Sequence, residues 1–200
     1  MDIIIIKYNA GNIRSVDFAL RRFGIKAEIT NDFEKIKKAD RVIFPGVGEA
    51  STTMNYLKER KLDQLIKDLK QPVLGICLGQ QLMCKHSEEG DTNCIGIFDE
   101  EIKRFIPSAE YGKEAQKVPH MGWNCLNNLK SNIFDESINK QYVYFVHSYY
   151  ATIGEHTSAV SEYINPFSAA LNKDNFYATQ FHPEKSGAIG ERILKNFLEL

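Results

Sequence analysis

The segment PVLGICLGQQLM, residues 72 to 83, sets Cys77 between Gly75 and Gly79 where an apolar run stops. A sharp strand-to-helix turn with small neighbours makes its central side chain stand clear of the chain, as in the G-x-S-x-G arrangement of hydrolases. GICLG has that form with sulfur in place of oxygen. The helix that follows directs the positive ends of its peptide dipoles at the sulfur, which favours thiolate, the reactive species. A cysteine buried beside two packing glycines accounts for the same residues, so this motif alone leaves both readings open.

A nucleophile needs a base. Of the five histidines, His182 in ATQFHPEKS is the informative one, with Glu184 two residues on. In an extended chain, residues two apart point the same way, and Pro183 keeps His182 out of the helical region. One face then presents an imidazole with a carboxylate behind it, the acid fixing the tautomer and steadying the imidazolium. The alternative for His182 is a hydrogen-bonded structural residue. A tetrahedral intermediate also needs donors for its oxyanion. Phe44 to Ala50, FPGVGEA, is a glycine loop after an apolar run. Gly46 and Gly48 allow backbone N–H groups to turn towards a ligand, with Val47 or Gly48 and the N–H of Leu78 as the donors. A plain tight turn fits the loop too. A nucleotide phosphate loop fits less well, because GVGEAS lacks the full G-x-G-x-x-G and the P-loop lysine.

The elements that must position these groups follow from the pattern of apolar residues. DIIIIKY reads as a strand buried on both faces, and NAGN breaks it. Ile13, Val16, Leu20 and Phe23 share a helical face that ends at Gly24. KAEIT and DRVIFP read as strands. STTMNYLKERKLDQLIKDL reads as one or two amphipathic helices, and PVLGIC as a strand leading at once into a helix through Met83. Alternating strands and helices imply an open, mostly parallel sheet flanked by helices in three layers. Ligands bind beyond the carboxyl ends of such strands, which singles out NAGN, PGVG and Cys77. The second half reads as short strands in quick succession: GIFDEEIKRF, VPHMGWNCL, QYVYFVHSYYATI, SAALNKDN and FYATQFHPE. That pattern predicts a mixed or antiparallel portion. SGAIGERILKNFLEL closes the chain as a helix, with Ile189, Ile193, Leu194 and Phe197 facing inward.

The chain has 200 residues, a net charge of -1, 43% hydrophobic and 26% charged residues. These values suit one soluble globular domain over residues 1–200. They give no electrostatic reason to expect nucleic acid or an anionic membrane as partner. No apolar run approaches roughly 18 residues, so no membrane helix is expected, and the acidic start with early Lys7 does not read as a signal peptide. Cys77, Cys84, Cys94 and Cys125 form no C-x-x-C pair, so zinc spacing is absent. The thiols are expected to be free, in a reducing, cytoplasmic compartment.

Taken together, GICLGQQ, PGVGEA and FHPEKS resemble the class I, triad-type glutamine amidotransferases. YNAGNIRSV, KVPHMGWN and YFVHSYY are similar to the glutaminase subunits of imidazole glycerol phosphate synthase, in histidine biosynthesis. The resemblance covers nearly the whole chain. It implies that Cys77 attacks the side-chain amide of glutamine, that His182 protonates the departing ammonia and then activates water, and that Glu184 orients His182. It assigns Gly46, Val47 and Gly48 to the oxyanion strand, and Gln81, His147, Ser148 and Tyr149 to holding glutamine. It implies no cofactor and no metal. Ammonia passes, in that family, into a (β/α)8-barrel cyclase that makes imidazole glycerol phosphate and an aminoimidazole carboxamide ribotide. Such a barrel needs about 250 residues, so a separate cyclase chain is expected, as a heterodimer. The expected contact is KVPHMGWN, with Lys117, Pro119, His120, Met121, Trp123 and Asn124. Met and Trp are enriched at interface centres, although Trp123 also fits a core position and Lys117 a solvated charge.

Two positions depart from the family pattern. Gln80 stands where methionine is common, and is expected at the pocket edge. Ala10 replaces a glycine in the NAGN turn. Two other functions remain open at this point: a paralogous glutaminase feeding another amination pathway such as surface-sugar synthesis, and a binding module that kept the fold without catalysis. The presence of all three triad members argues against the last.

Overall fold

The computed structural model describes residues 1–9, 11–107 and 116–200; Ala10 lies outside them. Four strands, β1 (Ile3–Ile6), β2 (Glu28–Thr30), β3 (Arg41–Gly46) and β4 (Val73–Cys77), alternate with five helices. These are α1 (Ile13–Arg22), α2 (Phe33–Lys38), α3 (Ala50–Glu59), α4 (Leu62–Asp68) and α5 (Leu78–Met83). The four isoleucines of β1 show why the run is continuous. Ile3 and Ile5 join one apolar cluster with Val16, Ala19 and Leu20 of α1. Ile4 and Ile6 join a second, with Ile36, Met54, Leu57, Leu65 and Ile66 of α2, α3 and α4. Successive side chains of a strand point to opposite faces, so a sheet covered on both sides demands apolar residues at every position. The stretch from Ala50 to Asp68 is two helices, broken where Lys61 adopts φ 57°.

The second half supplies β5 (His86–Ser87), β6 (Thr92–Asn93), β7 (Glu101–Arg104), β8 (His120–Cys125), β9 (Tyr142–His147), β10 (Tyr149–Ala151), β11 (Thr157–Glu162), β12 (Pro166–Lys173) and β13 (Phe176–Thr179). The closing helix is α6 (Gly187–Leu198), whose Ile193, Leu194 and Phe197 complete the α1 side of the core. The main sheet runs β2-β1-β3-β4-β13-β12-β10-β7-β5-β6, with β11 on the flank of β12. It is parallel from β2 through β13 and turns antiparallel at β12. The α/β architecture expected from the sequence is therefore present. QYVYFVHSYYATI is not one strand, however. It breaks at Ser148: β9 pairs only with β8 in a separate two-stranded ribbon, whereas β10 joins the main sheet between β7 and β12. Continuous apolar character across Ser148 hides the break, because both pieces are half-buried.

The glycines around Cys77 have packing reasons. A Cβ on Gly75 would sit 2.6 Å from Met83 Sδ and 3.1 Å from the Gln80 nitrogen of α5. A Cβ on Gly79 would overlap the carbonyl of Phe44 in β3. The first turn of α5 thus lies directly on the neighbouring strand. Replacing Gly79 by alanine improves helix propensity by about 1 kcal/mol, but the partner here is backbone and cannot rotate away. We expect Gly79→Ala to destabilise the fold by a net 1–3 kcal/mol, roughly the range for overpacking, read as a lower midpoint in urea denaturation. An unchanged or raised midpoint would show that α5 is free to lift from β3.

Candidate active site

Strand register assembles the site. Gly46 of β3 pairs with Cys77 of β4, and Ile76 of β4 pairs with Thr179 of β13. Cys77 therefore has the glycine loop on one side and Gln180 on the other. Cys77 itself holds φ 55° and ψ -107°, a left-handed conformation rare outside glycine and common where a fold stores local strain. The strand stops there and α5 begins at Leu78, whose backbone N–H is one of the unpaired donors of a helix start. The Cys77 thiol is almost buried, with Gln180 Nε2 at 3.7 Å and the Val146 carbonyl at 4.0 Å.

His182 and Glu184 meet as expected, by a different route. His182 is extended, at φ -97° and ψ 96°, but Pro183–Lys185 is a single turn of 3-10 helix. That turn, rather than strand alternation, folds the carboxylate back, so that Glu184 Oε1 lies 2.8 Å from His182 Nδ1. Neither side chain is exposed. The same Oε1 accepts a hydrogen bond from Asn12 Nδ2. A carboxylate oxygen only accepts, so Nδ1 carries the proton and Nε2 is directed away from the acid. Nε2 has no hydrogen-bond partner among the described residues. Burial pulls the imidazole pKa down, but Cys77 and the Glu184 carboxylate push it up by more, to about 10. The backbone N–H of His182 donates to Tyr144 at 3.0 Å, and Ser186 Oγ donates to the His182 carbonyl at 2.7 Å, which ties the turn to β9.

Above the sulfur opens a cleft of about 330 Å³. Val47, Gly48, Leu78, Gln81, His147, Ser148 and Tyr149 line it together with Cys77, and Gly46 lies directly behind in β3. Tyr8 holds the glycine loop from below: its hydroxyl donates to the Pro45 carbonyl at 2.5 Å, and burial raises its pKa far above the usual phenol range. Gln81 Nε2 donates to the Tyr149 carbonyl at 3.0 Å and to Gln180 Oε1 at 2.9 Å. Gln80 is not at the pocket edge. It is fully buried on the opposite side of α5, donating to the Ser168 carbonyl at 3.1 Å. Successive helical residues lie about 100° apart, so the neighbour of a cleft residue faces elsewhere. Sequence reasoning missed Asn12, Gln180, Glu89 and Tyr8. Glu89 is the carboxylate among the cleft-lining residues, and its Oε2 accepts from the Ala50 N–H at 2.8 Å.

The chain thus carries a buried thiol in a left-handed elbow, an imidazole tied to a carboxylate, and a cleft lined by that thiol. The family description "Glutamine amidotransferase class-I" matches residues 4–200. This chain belongs to the class-I glutamine amidotransferases. An imidazole glycerol phosphate synthase subunit HisH of Bacteroides fragilis is 64% identical over 200 residues, covering 100% of both chains. The HisH subunit of Bacteroides thetaiotaomicron is 60% identical over the same span. In three dimensions, a solved glutamine amidotransferase superposes with a TM-score of 0.72 at 19% identity, covering 98% of this chain and 97% of that one.

Next to the cleft of this amidotransferase stands the β8–β9 ribbon, and its two faces differ. Met121 and Trp123 point outward, 63% and 56% exposed, opposite Val146 and Tyr144. The core alternative for Trp123 is thereby excluded. Trp123 packs edge-on against Tyr144 at 6.0 Å. Lys117 and Pro119 are exposed and Asn124 is half-buried, its Nδ2 donating to the Glu162 carbonyl. His120 does not belong with them. It is buried, because alternation along β8 turns it inward between Met121 and the chain before it. There its Nδ1 lies 3.0 Å from His147 Nε2, and its ring stacks on Phe145 and Tyr163. His147 Nδ1 donates to the Tyr149 carbonyl at 2.7 Å, so His147 Nε2 is the acceptor and His120 the donor.

Burial lowers the pKa of His120 to about 4 and of His147 to about 3. Both are neutral in the fold at pH values where an unfolded chain, with histidine near 6.5, takes up protons. The unfolded state then binds more protons than the folded one between about pH 6.5 and pH 4, so stability falls as pH falls through that window. The slope is up to about 1.4 kcal/mol per pH unit for each histidine. Denaturant midpoints measured at pH 7 and pH 5 should show this loss, and His120→Gln should make it smaller. An equal loss in the variant would mean that His120 titrates normally in the fold.

Proposed function

We propose that this chain is the glutaminase subunit of imidazole glycerol phosphate synthase. The observation that carries the reading is the strained Cys77 elbow beside the glycine loop on the wall of the cleft, together with the buried His182–Glu184 pair. Glutamine enters with its side-chain amide towards Cys77. The thiolate attacks the amide carbon, and the carbonyl oxygen becomes an oxyanion held by the N–H groups of Val47 or Gly48 and of Leu78. His182, protonated on both nitrogens, gives its Nε2 proton to the leaving nitrogen, and ammonia departs from a thioester. A water molecule passes a proton to Nε2 and attacks the thioester. Glutamate leaves, and the thiolate beside the doubly protonated His182 is restored. Glu184, steadied by Asn12, keeps Nε2 aimed at the sulfur through both steps. Glu89 and the backbone around Ser148 and Tyr149 supply the charge and donors that glutamine's ammonium and carboxylate require.

Ammonia passes to a separate (β/α)8-barrel cyclase, which forms imidazole glycerol phosphate and an aminoimidazole carboxamide ribotide. The outward face of the ribbon, with Met121, Trp123 and Tyr144, is where that partner docks. Val146 of the same ribbon borders the cleft, so a partner seated there covers its mouth. The whole chain acts as one domain in a reducing compartment, in keeping with four free thiols. Among the described residues no helix is long and apolar enough to cross a membrane.

With the cognate cyclase, Cys77→Ala should abolish synthesis from glutamine and leave synthesis from ammonium salts intact. Loss with both nitrogen sources in a folded complex would give the sulfur a role outside glutamine hydrolysis. Synthesis with neither source by the unsubstituted pair would exclude this acceptor. Trp123→Ala should weaken association with the cyclase by about 2 kcal/mol, roughly thirtyfold in Kd for an aromatic hot spot, while leaving the thermal midpoint of the isolated chain unchanged. Unaltered affinity would place the docking face elsewhere.

A further inference from the structure

Gln180 lies beside the nucleophile, behind the cleft wall, and has no part in the triad. It is fully buried, one residue past the end of β13. Its amide bridges two groups: Oε1 accepts from Gln81 Nε2 at 2.9 Å, and Nε2 faces Cys77 Sγ at 3.7 Å. The direction of that bridge is not arbitrary. The Tyr149 carbonyl can only accept, so Gln81 must turn its NH2 group towards it. The second proton of that NH2 then points at Gln180, which must answer with its oxygen. The NH2 of Gln180 is left for the sulfur. A backbone carbonyl at the cleft wall thus dictates, through two side-chain amides, that a donor meets Cys77.

A donor at that place favours a sulfur that accepts, which is the thiolate. The titratable groups around the sulfur are His182 and Tyr8 on its buried side and Glu89 and His147 in the cleft. His182 must surrender its Nε2 proton during the reaction, whereas an amide N–H stays put. We propose that Gln180 is a further catalytic residue: it holds the thiolate by a hydrogen bond before attack and again as the thioester is cleaved, and links the state of the sulfur to the seating of Gln81. This rests on the glutaminase reading for its purpose, and on the geometry alone for its effect on the sulfur.

The test is modification of Cys77 by iodoacetamide in the isolated full chain. It is followed by mass spectrometry of the Cys77 peptide as a function of pH. Gln180→Met keeps the volume and removes both hydrogen bonds. Its Cys77 should react about tenfold more slowly at neutral pH, in line with losing one hydrogen bond to a charged group, with the profile moved to higher pH. Gln81→Met does not touch the sulfur but releases the Gln180 amide, and should move the profile in the same direction by less. If Gln180→Met does not fold, Gln180→Glu, which keeps the shape and replaces the donor by an acid, should give the same upward move. A profile unchanged in a folded Gln180 variant overturns the proposal. Slower modification without glutaminase activity in the unsubstituted protein bound to its cyclase would uphold it and reject the substrate instead.

Discussion

Everything at this site depends on the register of three parallel strands. β4 lies between β3 and β13, and the pairings Gly46 with Cys77 and Ile76 with Thr179 bring three chain segments to one level. A slip of one residue would turn every side chain of the slipped strand to the other face. Register is held by burial on both sides: Phe44, Leu74, Ile76 and Ala178 are fully enclosed, in two separate clusters. The hydrophobic effect therefore fixes the geometry of the polar groups, although none of these four side chains takes part in the chemistry.

On that frame, polar contacts act at short range and with definite direction. Asn12 and His182 converge on one oxygen of Glu184. Tyr149, Gln81 and Gln180 form a second directed chain that ends on the sulfur. Both chains start from groups that can only accept, a carboxylate and a backbone carbonyl, and the second leaves its last member, Gln180, facing Cys77. Since none of these groups is free to reorient in bulk water, the arrangement is in place before substrate arrives, which is what electrostatic catalysis requires.

Much of this is legible in the sequence, for identifiable reasons. Strand and helix alternation in the first half follows from the apolar period. Cys77, His182 and Glu184 are marked by neighbours, two glycines and a proline, that constrain the backbone. What was hidden depended on contacts between distant segments. Asn12 reads as a turn residue until α1 is packed beside the turn at Pro183. Gln180 reads as one polar position in ATQFHPEKS until β13 is set against β4. The turn that brings Glu184 to His182 cannot be told from an extended pair by spacing alone, since both place residues two apart near each other. In the sequence His120 groups with Met121 and Trp123 because the motif is contiguous, while a strand sorts neighbours to opposite faces.

That sorting has a consequence for the β8–β9 ribbon. It presents Met121 and Trp123 to solvent and, one residue away on the same backbone, His120 to the histidine that lines the cleft. Two strands paired over six residues move together, not residue by residue. Any body that binds the outer face better in one setting of the ribbon than in another changes the affinity of the cleft by a factor wherever a molecule in the cleft also distinguishes those settings. By thermodynamic necessity, a molecule in the cleft changes the affinity of the outer face by that same factor. The ribbon is then a shared wall between two equilibria.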